Sequence, residues 1–200
     1  MSGSRGVREA RRRDHQVTAV VRDPGGHGDL AADGVRLVAG DVTDAAGVAR
    51  VAAGHDAAIS AVFDPAAATS AFYADAHHAL LGGLSRAGVA RLLVVGLASV
   101  LQTEHGTALM DTPGYPQQYR SFYLDHAAGV RMLHSAGGAV DWLVVSPAGD
   151  FHQDGARTGR YRAATADPAS RVSYADLAVA LIDEIDAPAH HRTHLGVEAA

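Results

Sequence analysis

The chain has 200 residues, 48% of them hydrophobic and 20% charged, with a formal net charge of -5 and a pI near 6.1. That balance suits one compact domain over residues 1–200, and it excludes a disordered chain and any general attraction to nucleic-acid phosphates. Cysteine is absent, which excludes disulfides, thiolate metal sites and a thiol nucleophile, and no apolar run is long enough to span a bilayer. A cytoplasmic, soluble protein is the default expectation.

The first helix is read over the arginine-rich start, where Arg5, Arg8, Arg11, Arg12 and Arg13 alternate with Glu9 and Asp14. It reads as a solvated helix face, and it runs directly into a strand rather than a cleavage region, so no targeting segment is expected. Val17 to Val21 is a β-branched strand stopped by Arg22, Asp23, Pro24 and Gly25, and Val35 to Val38 is a second. Thr43 or Asp44 can cap a short helix carrying Val48, Val51 and Ala52, and Ala57 to Val62 is the third strand. Phe72, Ala76, Leu80, Gly83 and Ala87 recur at helical spacing up to Gly88, and Leu92 to Leu97 follows as the fourth strand. Residues 102–118 lack periodicity and read as an excursion of the kind that builds a substrate pocket. A helix from Ser121 to Gly137, a fifth strand from Asp141 to Val145 and a last helix opened by a Ser173–Asp176 capping box complete the pattern. Short apolar strands separated by helices imply a parallel sheet covered on both faces, a doubly wound α/β fold.

Twelve histidines raise the question of a metal site. The pairs His77–His78 and His190–His191 are adjacent in sequence, so their rings diverge, and no HExxH pattern occurs. Scattered surface histidines and no metal are expected.

The stretch GSRGVREARRRDHQVTAVVRDP, residues 3–24, resembles the segment after the first strand of atypical short-chain dehydrogenases of the NAD(P)H-binding, NmrA-like group. Gly40-Asp41-Val42-Thr43-Asp44 resembles that family's GDVxD, and VVGLASV, residues 94–100, is similar to a strand end of flavin and biliverdin-IXβ reductases. The pair Asp125–His126 and the pattern Ser146-Pro147 followed by Thr158-Gly159-Arg160-Tyr161 extend the likeness to nearly the whole chain.

The resemblance implies a Rossmann-like, doubly wound parallel sheet of order 3-2-1-4-5-6 that lacks its usual first strand and most of the dinucleotide-binding glycine loop. It implies a cofactor site at Gly3, Ser4, Arg5, Arg22, Asp41, Val42, Ser60, Ala61, Val62 and Pro147. Arg22 stands where a guanidinium would match a 2′-phosphate, so NADP(H) is expected over NAD(H). Ser99 is the candidate catalytic group, an orienting hydrogen-bond donor facing the nicotinamide. Tyr119, Tyr123, His126, Phe151 and His152 are the candidate substrate pocket. The YxxxK dyad of short-chain dehydrogenases is replaced by Phe122 and His126. The eroded loop implies weak or absent cofactor binding. Loss of a central strand would bare the inner edges at Val17 and Ala57, so direct pairing of those strands or cover by another chain is expected, and an open edge favours a homodimer.

Three functions stay open. They are an NAD(P)H-dependent reductase of a flavin, quinone or similar planar small molecule; a cofactor-independent isomerase, cyclase or lyase; and a non-catalytic small-molecule-binding protein.

Overall fold

The computed structural model describes residues 2–31, 34–64 and 71–200. Its elements alternate. They are α1 (Ser2–Arg12), β1 (Val17–Val21), β2 (Val35–Ala39), α2 (Ala45–Ala52), β3 (Ala57–Ser60), α3 (Phe72–Ala87), β4 (Arg91–Val95) and α4 (Arg120–Ser135), then β5 (Asp141–Pro147), β6 (Asp150–His152), β7 (Tyr161–Ala163), β8 (Arg171–Ser173), α5 (Tyr174–Asp186) and β9 (Thr193–Ala199). Asp44 caps α2 by accepting from the Ala46 N–H, Gly88 ends α3 in the left-handed region at φ 77°, and Ser173 caps α5 by accepting from the Asp176 N–H.

The main sheet has the order β3-β4-β5-β9-β7, parallel except where β7 runs against β9. β1 and β2 form a separate parallel pair, with Val17 opposite Val35. The expectation of direct closure is therefore corrected: β1 and β3 do not pair. Two side-chain bridges hold them alongside one another instead, His55 Nε2 to Thr18 Oγ1 at 2.9 Å near their amino ends and Arg22 to Asp64 at 3.3 Å beyond their carboxyl ends. β9 and the short strands β6, β7 and β8 carry no alternation long enough to be read from the sequence.

Alternation along β4 and β5 divides the core into two layers. Leu92, Val94, Trp142 and Val144 pack with Leu80, Leu84 and Leu133 of α3 and α4. Leu93, Leu143 and Val145 pack with Leu177, Ala180 and Leu181 of α5. This is the doubly wound arrangement.

α1 lies against α5, and the arginine stripe there is not a free solvated face. Glu9 is 4% exposed and is clasped by Arg12, Arg13 and Arg157, the last through two bonds of 2.8 and 3.0 Å. Those guanidiniums hold its carboxyl far below the usual carboxylate range. Arg13 also reaches Asp183 and Asp186, fixing α1 to α5.

Two adjacent glycines of α3 give a local test of helix packing. A Cβ on Gly83 would meet Val48 Cβ at 2.6 Å and the Ala45 carbonyl oxygen at 2.8 Å, whereas one on Gly82 would meet nothing within 4 Å. Gly82→Ala should raise stability by about 0.5–1 kcal/mol through helix propensity. Gly83→Ala should lower it by about 1–3 kcal/mol by pushing α2 off α3. Urea denaturation midpoints at constant m-value check both.

Candidate functional site

The carboxyl ends of parallel strands, where main-chain groups and helix amino ends converge, are where a doubly wound fold presents a site. Here the carboxyl end of β3 meets the first turn of α1: a Cβ built on Gly3 lies 3.6 Å from Ala61 Cβ. α1 has no acidic residue in its first turn, so the N–H groups of Gly3, Ser4 and Arg5 and the positive end of the helix dipole suit an anion.

Beside this turn, Arg22 follows β1 and is exposed, paired with Asp64. Asp41 lies near enough for Arg22 to favour its ionised form, although its carboxyl is lowered chiefly by accepting from the Thr43 N–H and hydroxyl. Val42 packs against the α3–α4 core layer. Ser60 is 4% exposed and its Oγ is buried without a partner, while Ala61 and Val62 are half-buried.

Further along the edge, β4 ends in Gly96. A Cβ there would meet Ser146 Oγ at 2.5 Å and Val144 Cγ1 at 2.6 Å, so only glycine allows this approach to β5. Ser99, in the 3-10 turn Ala98–Val100, is 2% exposed and its Oγ is buried without a partner. Ser146 is fully buried and its Oγ is 2.7 Å from His194 Nε2. Burial pushes His194 down to about 4, so the ring is neutral near pH 7. Sequence reading missed this pair because His194 lies on the unrecognised β9. Pro147 is buried at the end of β5.

The remaining candidates divide into two aromatic groups. Tyr119 is 59% exposed and meets Tyr123 edge-on at 6.4 Å, and Tyr123 meets Tyr115 at 5.6 Å. Phe151 stacks on Tyr174 at 3.9 Å, with His152 exposed beside it. His126 is buried between α3 and α4, 3.5 Å from the Tyr73 ring and edge-on to Phe122. The excursion at 102–118 does wall an open cavity of about 670 Å³ with residues 165–168, but none of the candidate site residues lines it.

Thr158-Gly159 proves to be a structural latch. The N–H groups of Thr158 and Gly159 and the Thr158 hydroxyl all donate to the Asp176 carboxylate at 2.8–3.0 Å, which ties this turn to the start of α5.

The histidines differ from expectation. His77 is 3% exposed and His126 7%, packed between helices, and burial pushes His126 down to about 3 and lowers His77. These are not scattered surface residues. Among the described residues no group of three or more His, Asp or Glu side chains is arranged to hold a metal ion.

Neutral buried histidines make stability depend on pH. Unfolded histidines titrate near 6.5, so below that pH the unfolded chain binds protons that His77, His126 and His194 in the folded chain refuse. Stability is full above pH 7 and should fall as pH drops toward 5, by about 1.4 kcal/mol per pH unit for each of His126 and His194, with His77 adding in the same direction. Most carboxylates titrate below this window. Urea midpoints between pH 7.5 and about 5 check the slope, and His126→Asn should make it shallower by roughly one proton.

Sequence and structure comparisons agree on the company this chain keeps. The signature of the NAD(P)H-binding family matches residues 1–188. An uncharacterized Bacillus subtilis protein, YwnB, is 32% identical over 197 residues, covering 94% of this chain and 89% of that protein. A candidate epimerase from Bacteroides thetaiotaomicron superposes with a TM-score of 0.85 at 31% identity, covering 99% of this chain and 92% of the other. A candidate NADH-flavin reductase from Streptococcus pneumoniae superposes with a TM-score of 0.84 at 29% identity, covering 100% and 94%. Among the described residues no helix is long and apolar enough to cross a membrane.

Proposed function

Starting from the chain's membership of the NAD(P)H-binding family, we infer that it is a reductase that passes a hydride from NADPH to a planar small molecule of the flavin or quinone type. The observation that carries this reading is the pair of orphaned hydroxyls, Ser60 Oγ and Ser99 Oγ, both buried and unpartnered along the carboxyl edge that begins at the α1 turn. Unpartnered buried hydroxyls are costly, and a dinucleotide laid along this edge would satisfy them.

The residues present fit such a group. The N–H groups of Gly3, Ser4 and Arg5 would meet the phosphates, and Arg22 would match the 2′-phosphate by exchanging its bond to Asp64. Asp41 and Val42 would flank the adenine, and Ser60, Ala61 and Val62 would floor the ribose. A bound nicotinamide supplies the hydride; the protein orients and shields it. Ser99 and the buried Pro147 would set the depth of the ring, and Tyr119, Tyr123, Phe151 and His152 would bound the acceptor. His126, buried against Tyr73, would support that wall from behind. No proton donor of the YxxxK type is needed when hydride passes directly between stacked rings.

One observation favours a second reading, in which the site binds a small molecule without a cofactor. β1 and β3 do not pair with each other, so no main-chain ladder between them backs the turn of α1. Titration calorimetry with NADPH and NADH separates the two. Heat of binding with an affinity in the micromolar range or weaker, together with NADPH oxidation when a flavin or quinone is added, supports the reductase. Arg22→Ala should cost about tenfold in NADPH affinity, roughly 1.4 kcal/mol, and leave NADH unchanged. No heat with either nucleotide would leave the cofactor-free reading standing alone.

A further inference from the structure

Among the described large apolar side chains Phe63 is the most exposed, at 65%, and it is the one exposed member of the chain's four phenylalanines. A singly exposed apolar side chain is ordinary on a protein surface, so exposure alone assigns nothing. What distinguishes Phe63 is what holds it. Its ring meets Phe122 of α4 edge-on, with centroids 5.8 Å apart and planes at 76°. Phe122 in turn meets Tyr73 of α3 at 6.1 Å and His126 at 4.6 Å, again edge-on. Tyr73 and His126 are both buried and lie ring against ring at 3.5 Å. Phe63 is therefore the outermost of four rings rooted in the contact between α3 and α4. Among the described residues Phe122 is its one ring neighbour, and an edge-on partner covers at most one face of a ring. An aromatic face of Phe63 is left open.

The backbone carries this ring across the carboxyl edge of the sheet. Ser60 ends β3 with its hydroxyl buried and unpartnered. Ala61 follows against the first turn of α1, its Cβ 3.6 Å from a Cβ built on Gly3. Two residues on, Phe63 reaches the first turn of α4, and Asp64 is tied back to Arg22 at 3.3 Å. The segment is pinned on both sides of Phe63, which fixes the ring before a ligand arrives and limits the ordering cost of binding. The exposed Tyr119 and Leu124 lack this combination, since Tyr119 turns to Tyr123 and Leu124 has no ring.

We propose that Phe63 is a stacking platform for the hydride acceptor, a planar conjugated ring of the isoalloxazine or naphthoquinone class that lies face to face on it. This rests on the reductase reading and deepens it by adding a specificity-determining residue. In that reading the nicotinamide lies against buried groups, Ser99 and Pro147. An acceptor that enters and leaves in every turnover needs a wall open to solvent, and Phe63 supplies one on the same edge. A phenyl group offers no hydrogen bond, so it selects for ring area and planarity and not for the substituents that the ring carries. Phe122, backed by Tyr73 and His126, holds the platform in place.

Binding of riboflavin and of menadione to the full chain tests this, followed by quenching of riboflavin fluorescence and by calorimetry, with and without saturating NADP+. Phe63→Ala, Phe63→Leu, Phe63→Tyr and Phe63→Trp are compared with the unaltered chain. The expected result is a loss of roughly tenfold in affinity for both probes in Phe63→Ala and Phe63→Leu, and affinity within about twofold of the unaltered chain in Phe63→Tyr and Phe63→Trp. NADPH affinity and urea midpoints should stay unchanged in all of them, since an exposed ring carries little of the fold. Undiminished binding by Phe63→Ala overturns the proposal. So does undiminished binding by Phe63→Leu, which would make the contact apolar rather than aromatic. An equal loss of NADPH affinity in Phe63→Ala would assign the ring to the cofactor and overturn it too, as would failure of the unaltered chain to bind either probe in both conditions. The two readings fail separately: ring binding that depends on Phe63 with no heat from NADPH counts against the reductase alone, and NADPH oxidation with ring binding indifferent to Phe63 counts against the platform alone.

Discussion

The position of β1 and β2 depends on a buried carboxylate rather than on a continuous sheet. In an uninterrupted parallel sheet every strand is held by a ladder of main-chain bonds, and helices above it can be held by apolar packing alone. Here β1–β2 is cut off from the five strands of the main sheet, and α1 spans the division together with the His55–Thr18 and Arg22–Asp64 bridges. Glu9, 4% exposed, receives Arg12 and Arg13 from its own helix and Arg157 from the segment before β7. Removing one partner of such a buried cluster leaves an uncompensated charge, which costs about 3–5 kcal/mol where burial is complete. Its guanidiniums keep part of their surface in water, so the figure here is smaller. The geometry still fixes the helix, because the Arg157 contact is forked and Arg13 continues to Asp183 and Asp186.

This arrangement explains which parts of the sequence were legible. Strands β1 to β5 and helices α2 to α5 announce themselves because each must bury apolar surface, and a buried face leaves a pattern in the sequence. Asp44, Gly88 and Ser173 mark helix ends by hydrogen bonds made within a few residues, so local spacing suffices to find them. The short strands around residues 150–173 form only three residues each. They are set by distant partners: β6 by β8, β7 by β9, and the Thr158-Gly159 turn by the Asp176 carboxylate. A capping-box reading of Ser173 and Asp176 finds the helix start and not the second use of the same carboxylate.

The same distinction applies to the site. The places of Gly3, Arg22, Ser60 and Ser99 at or just beyond strand and helix ends were legible, because such places are local properties; their roles were read from a resemblance alone. The burial of His77 and His126 was not, because adjacent His77 and His78 look alike in sequence and only the crossing of α3 over α4 at Gly129 decides which one is enclosed. Ser146 and His194 come together across β5 and β9, forty-eight residues apart, and no spacing rule links them.

What this implies for nucleotide affinity can be bounded by magnitudes. The positive end of α1 contributes about 0.3–1 kcal/mol to an exposed anion and up to about 2 in a sheltered one. A charge-assisted bond from Arg22 contributes about 1.5–3 kcal/mol, less the loss of its bond to Asp64. Together these reach about 4 kcal/mol, the level of a millimolar complex. Micromolar binding needs about 8 kcal/mol, so in the proposed site the difference would have to come from apolar contact of the rings with residues such as Val42, Val62 and Pro147. Phosphate recognition is thus the weak part of this site and ring burial the strong part. On the proposed reductase reading, a planar, apolar acceptor would fit such a site better than a small charged one, because it would draw on the same ring contacts proposed to hold the cofactor.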